Sequence, residues 1–203
     1  MNKRPSELFF EKTNCEYVFS IQSIVNIPSI VEHGLLSYRI AQNLEHQSVA
    51  LEAVQQRRDI KVVDGLGLHD YVCLYFDFWN PMLSRLRSIN NEICILAVHS
   101  QVLDLSGALY TDCNAASDYS RFYYANLGFD FLDVEGIYRR DWNSSDYFEY
   151  SKMKSVKCSE VLIPHQISYD YIEGAIVINK SASNKLRANW FNKKIVVNRN
   201  CFF

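Results

Sequence analysis

Apolar positions in this chain come in short, dense runs rather than at helical spacing, and the runs predict strands. Residues 71–76 and 93–98 are apolar throughout, as central strands buried on both faces are. Residues 161–163, 175–178 and 195–197 are shorter runs of the same kind. Pro164 ends the first of these, because proline gives a ladder no donor. Between the runs, polar stretches carry helix punctuation. Pro28 suits the first turn of a helix over 28–33 and Gly34 its stop. A second helix is expected over 48–58, with Ala50, Ala53 and Val54 on one face, and a third over 118–127, ending at Gly128. Residues 59–68, with Gly65 and Gly67, read as a loop. Short helices alternating with strands, without repeats, predict an α+β fold in one domain over 1–203, around a mixed or antiparallel sheet.

A chain of 203 residues, 48% hydrophobic and 22% charged, suits one sizeable core. No run of about 18 apolar residues is present, so no membrane span is expected. The basic opening Met1-Asn2-Lys3-Arg4 is followed by Glu7, Glu11 and Lys12, which is not a secretory signal, and the expectation is a cytosolic protein. The six cysteines are far apart and form no CxxC or Cys/His pair, so neither zinc nor disulfides are expected. Cys73 and Cys94 read as small core residues. The net charge of −2 hides an asymmetry: residues 180–203 hold six cations and no acid. With Trp190, Phe191, Phe202 and Phe203 among them, this basic segment fits either nucleic-acid binding or a solvated face on a terminal helix and strand.

The chain lacks GxGxxG, GxxxxGK[ST], HExxH and GxSxG, which removes the commonest nucleotide, zinc-protease and hydrolase signatures. What stands out is Ser159-Glu160-Val161-Leu162. A carboxylate at the mouth of an apolar strand loses solvation unless it has a partner or a task, the alternative being a solvated strand end. Its company is specific: Ile24-Val25-Asn26-Ile27-Pro28-Ser29-Ile30, Gln55-Gln56-Arg57-Arg58, His69-Asp70-Tyr71-Val72, Asn80-Pro81-Met82-Leu83 and Thr111-Asp112-Cys113-Asn114-Ala115-Ala116. In this order, over residues 17–180, they resemble the DarT family of DNA ADP-ribosyltransferase toxins. Two places depart from it. Phe19-Ser20-Ile21-Gln22 stands where the family has Tyr-His-x-Thr, and Asp77-Phe78-Trp79-Asn80 replaces a shorter turn.

The resemblance implies an ADP-ribosyltransferase-like split β-sandwich with short surrounding helices and an NAD cleft between the sheets. It implies transfer of ADP-ribose from NAD onto a base of single-stranded DNA, with no metal. Glu160 would be catalytic, stabilising an oxocarbenium-like centre. One of Arg57 and Arg58 would hold the pyrophosphate, since neighbours on a helix diverge by about 100°. Ser20 and Gln22 would take the place of the missing histidine, Ser20 offering a hydroxyl. Tyr71 and Met82 would line the nicotinamide side, or simply pack in the core. The 138–157 segment, with Arg139, Arg140, Trp142, Lys154 and Lys157, would bind the strand by charge and stacking, unless it is an ordinary amphipathic helix near 148–154. A macrodomain antitoxin is the implied partner. Transfer to RNA or protein, and an inactive binding module of the same fold, are the alternatives.

Overall fold

In a computed structural model of the chain, residues 3–203 are described; Met1 and Asn2 of the basic opening lie outside them. The strands are β1 (Tyr17–Ser23), β2 (Leu35–Leu36), β3 (Val62–Val63), β4 (Leu66–Gly67), β5 (Tyr71–Tyr75), β6 (Ile93–His99), β7 (Leu109–Asn114), β8 (Phe122–Tyr124), β9 (Ser159–Pro164), β10 (Gln166–Ile167), β11 (Ile172–Val177) and β12 (Lys194–Val197). The helices are α1 (Pro5–Thr13), α2 (Ile27–His33), α3 (Tyr38–Ala41), α4 (Glu52–Asp59), α5 (Pro81–Arg85), α6 (Val134–Tyr138), α7 (Tyr147–Val156) and α8 (Lys180–Ala188). Eight strands form one sheet in the order β12-β11-β6-β1-β5-β9-β7-β8, while β10-β2 and β3-β4 are small ribbons. Only β11 and β12 run parallel within the large sheet, so it is mixed.

The sheet is nearly two sheets. β1 pairs with β6 from Tyr17 opposite His99 to Ser23 opposite Ile93, and β5 with β9 from Tyr71 opposite Pro164 to Tyr75 opposite Glu160. Between β1 and β5, however, the only pair is Phe19 opposite Tyr75. Beyond it the strands part, and the gap becomes a cleft. One face of both halves is a continuous core of residues such as Val18, Leu74, Leu96, Val161 and Val177, covered by Phe9 of α1 and Leu186 of α8. The other face carries two separate clusters, Ile21, Ile93 and Ile95 on one half and Tyr71, Leu109 and Leu162 on the other. Apolar runs therefore became strands because both faces had something to cover.

Three expectations change. Residues 118–127 are not a helix: Phe122, Tyr123 and Tyr124 pair with β7, and only Ala125–Leu127 coil as a single 3₁₀ turn. The aromatic side chains gain more on the pleated edge than in a helix, Tyr123 stacking on Tyr110 at 5.2 Å. The second helix starts at Glu52 rather than 48, because the Ser48 hydroxyl accepts the Ala50 N–H at 3.2 Å and holds a local turn instead. Residues 59–68 contain the β3-β4 hairpin, turned by Asp64 and Gly65 at φ 50° and 78°. That is the Asp-Gly pair of a two-residue hairpin, a signal present in the sequence and missed.

Candidate active site

Glu160 lies within β9, not at its mouth, and its side chain is 1% exposed. It projects from the same face as Tyr75 and Cys73, opposite it and two residues on in the neighbouring strand. The strand beside it is distorted: β7 runs from Tyr110 to Asn114 where β9 runs only from Val161 to Ser159. Such bulges re-aim side chains beside functional sites. Thr111 repairs the ladder, its hydroxyl accepting the Glu160 N–H at 2.9 Å and donating to the Cys113 carbonyl at 2.6 Å. Asn114 then turns the chain, its side chain accepting the Ala116 N–H at 2.9 Å. The turn delivers the buried Ala115, whose backbone N–H donates to Glu160 Oε1 at 3.0 Å. The spacing of the Thr111–Ala116 motif is thus the spacing of a carboxylate cradle.

The second hand on Glu160 is Arg58, from the last turn of α4. Its Nη2 donates to both carboxylate oxygens at 2.6 Å, and its Nη1 reaches Cys73 Sγ at 3.0 Å. Burial works most strongly against the Arg58 charge, but the charge and hydrogen bonds of Glu160, together with Cys73 and Tyr75, hold the guanidinium above its usual range. Burial likewise pushes the Cys73 thiol up to about 12, Arg58 opposing, and raises the Tyr75 hydroxyl well above its ordinary value, with the Glu160 charge adding to it. Cys73 is therefore a half-buried neighbour of the ion pair rather than plain core. Arg57 stays exposed at the rim of the same cleft, its Nε donating to the Ala53 carbonyl at 3.3 Å.

These groups open onto a cleft of about 1050 Å³, the size of a ligand site. Ser20 and Gln22 line it from β1; Ser20 is buried and accepts from Gln22 Nε2 at 2.8 Å. Met82 lines it from α5, a helix set by Pro81 in its first turn and by the Asn80 side chain, which accepts the Leu83 N–H at 3.0 Å. Tyr71 also borders the cleft, but its ring packs with Leu109 and Leu162 and its hydroxyl donates to the Val63 carbonyl at 3.0 Å, so core packing accounts for it. Arg57, Arg58, Arg85, Arg87 and Lys154 face the cleft against two carboxylates, Asp118 and Glu160. In a chain of net charge −2, this is a concentrated positive field.

The 138–157 segment divides. Residues Tyr147–Val156 form helix α7, and Tyr150, Ser151 and Lys154 turn to the cleft, as does Trp142 ahead of it. Arg140 lies over the Trp79 ring at 5.5 Å, and Arg139 donates to Met153 Sδ at 2.8 Å; neither lines the cleft. Lys157 is a correction. Its side chain is 0% exposed, and Nζ donates to Asp77 at 2.7 Å and to the carbonyls of Ile137 and Arg139 at 2.5 and 2.9 Å. A sealed ammonium with three protein acceptors is a structural tie and reaches no phosphate. No residue of 180–203 borders the cleft either.

Residues 19–203 match the family described as ssDNA thymidine ADP-ribosyltransferase, DarT. The chain belongs to the DarT family. A DNA ADP-ribosyl transferase–DNA ADP-ribosyl glycohydrolase fusion protein of Thermosipho africanus (strain H17ap60334) is 28% identical over 193 residues, 90% of this chain and 46% of that protein. Among solved structures, Thermosipho africanus DarTG in complex with ADP-ribose has a TM-score of 0.80 at 24% identity, over 93% of this chain and 51% of that one. Thermus sp. 2.9 DarT in complex with ADP-ribosylated ssDNA gives 0.78 at 20% identity, over 93% and 96% of the two chains. Its complex with NAD+ gives 0.73 at 18%, over 93% and 98%. The chain thus spans about half the length of the Thermosipho africanus proteins and nearly all of the Thermus DarT. The fold is that of DarT, and the expected pair of sheets is one eight-stranded mixed sheet that parts at β1 and β5 to leave the cleft.

Several residues of the cleft were missed by sequence reasoning. Arg85 and Arg87 follow the Asn80–Leu83 motif closely and were legible only as helix-end cations. His69 was read as part of a motif without a role; it borders the cleft, with Nε2 2.9 Å from Gln55 Oε1 and Tyr38 4.4 Å away. The Ala115 N–H has no side-chain signal at all. Among the described residues no helix is long and apolar enough to cross a membrane, and no group of three or more His, Cys, Asp or Glu is placed to hold a metal ion.

Proposed function

We propose that the chain transfers ADP-ribose from NAD to a thymidine base in single-stranded DNA, releasing nicotinamide. The observation that carries this reading is Glu160, sealed at the cleft floor between Arg58 and the Ala115 N–H under a positive field. Cleavage of the nicotinamide–ribose bond sends the bonding pair to nicotinamide and leaves positive charge at the ribose C1′. A fixed carboxylate stabilises that charge. The ring nitrogen of thymine then bonds to C1′ and gives up its proton, and Glu160 is the buried carboxylate available to take it. Arg57, with Arg85 and Arg87, supplies charge for the pyrophosphate; Ser20, Gln22 and Met82 flank the gap where nicotinamide and its ribose would sit. Trp142, Tyr150 and Lys154 offer rings and charge to an unpaired strand.

The toxin role, with a glycohydrolase of macrodomain type as antitoxin, is supported by the fusion of both activities in the Thermosipho africanus relative. We place the site of action in the cytosol, in keeping with six free cysteines. The test is incubation with NAD and short single-stranded oligonucleotides, read as mass shifts and nicotinamide release. Glu160→Gln, which keeps shape and hydrogen bonding, should lower transfer by about 10²–10³-fold in a folded protein. Labelling of RNA or protein in place of DNA, or wild-type turnover by Glu160→Gln, would sink the reading.

A further inference from the structure

Lys61 lies three residues beyond Arg58 and does not border the cleft. Its ammonium has three N–H donors, and three acceptors take them: the Ala115 carbonyl at 2.9 Å, the Ser117 carbonyl, and the Ser120 hydroxyl at 2.7 Å. The Phe122 ring centre is 5.3 Å from Nζ. The turn gripped in this way is the one whose Ala115 N–H donates to Glu160 Oε1. Lys61 and Glu160 therefore fix the peptides on either side of Ala115, and neither can move alone. Arg58 holds the same carboxylate from α4, the helix that runs into Lys61. The contacts close a ring: Arg58 to Glu160, Glu160 to Ala115, Ala115 to Lys61, and along the chain back to Arg58.

We infer that Lys61 is a positioning residue for Glu160, aiming the Ala115 N–H by anchoring the 114–120 turn. A carboxylate that must face one ribose carbon tolerates little drift, since misplacement by about 1 Å costs on the order of 10²-fold in rate. Ser120 also braces the turn through its hydroxyl, but only within the turn itself, at 3.2 Å from the Ala115 carbonyl. Lys61 links it to the arginine-bearing helix.

The experiment uses the full chain, labelled with ¹⁵N, and compares Lys61→Met with Lys61→Arg. The first readout is the Ala115 backbone amide resonance, which sits downfield while its proton is shared with an ionised carboxylate. Lys61→Met should move it upfield, toward its position in Glu160→Gln, and Lys61→Arg should return it. The second readout, which rests on the transferase reading, is kinetic: kcat should fall about tenfold or more in Lys61→Met with KM for NAD little changed, and recover in part in Lys61→Arg. Unfolding midpoints are measured alongside, and Lys61→Gln replaces Lys61→Met if the latter does not fold. An unmoved Ala115 resonance, equal loss in both variants, or a moved resonance without a change in kcat overturns the inference. Absence of transfer in the wild type overturns the transferase reading alone, because the amide comparison needs no turnover.

Discussion

Arg58 and Glu160 meet at 2.6 Å with side-chain exposures of 10% and 1%, so neither charge has water to fall back on. Removing one partner of such a pair costs far more than the pair itself contributes, because the survivor is left buried and alone. Arg58→Ala should lower stability by about 3–5 kcal/mol, visible as an earlier denaturant midpoint. Arg57→Ala, on the exposed side of the same turn, should stay within about 0.5 kcal/mol of wild type and act instead on NAD affinity. Calorimetric titration with NAD beside unfolding curves separates the two; unchanged NAD affinity in Arg57→Ala would remove that residue from the site. The sequence reading let only one of two adjacent arginines face the cleft, yet both line it, Arg58 buried against Glu160 and Arg57 at the exposed rim. The division of roles was not legible because it depends on Glu160, 102 positions away.

At the scale of elements, α7 shows what its spacing was for. Tyr147, Tyr150, Ser151 and Lys154 fall at intervals of three and four, one face of the helix, and the last three of them border the cleft. Lys154 lies 5.5 Å from the Tyr150 ring, a cation beside a stacking surface. The double variant Tyr150→Ala/Lys154→Ala should weaken binding of a single strand by about 1–3 kcal/mol for the lost stack and lower the transfer rate only through occupancy. Fluorescence anisotropy with a labelled oligonucleotide checks it, and wild-type affinity would return α7 to the status of ordinary cover. The dense apolar strands were legible, since their neighbours on both faces demand such residues. The 118–127 stretch was not: Phe122, Tyr123 and Tyr124 are strand only because β7 lies alongside. Lys157 misled for a related reason, as burial turns a cation from a surface contact into a tie between Asp77 and the α6 end.

For the whole molecule, the cations gathered in 180–203 lie away from the cleft. Of the six cations in 180–203, Lys185 pairs with Glu92 at 2.5 Å, Lys193 lies 4.7 Å from the Tyr169 ring, and Arg187 donates to the Phe191 carbonyl at 2.6 Å. DNA binding should weaken with salt by a log–log slope of about −0.7 per phosphate met, and neutralising Lys154, the cleft cation beside the Tyr150 ring, should flatten it. Lys193→Ala/Lys194→Ala should leave the slope as it was; a shallower slope in that variant would put the tail on the strand after all. The junction between the half-sheets has a consequence of its own. With one rung, Phe19 opposite Tyr75, the two halves share little hydrogen bonding across the gap and are joined mainly by the core on one face, so the β1–β5 seam should open more readily than the rest of the sheet. A molecule seated there touches Ser20 and Gln22 on one side and Cys73 and Tyr75 on the other, and so acts as a staple between them. On the proposed reading, amide exchange at β1 and β5 should slow together when NAD is added, and exchange unchanged in either strand would show that nothing bridges the seam.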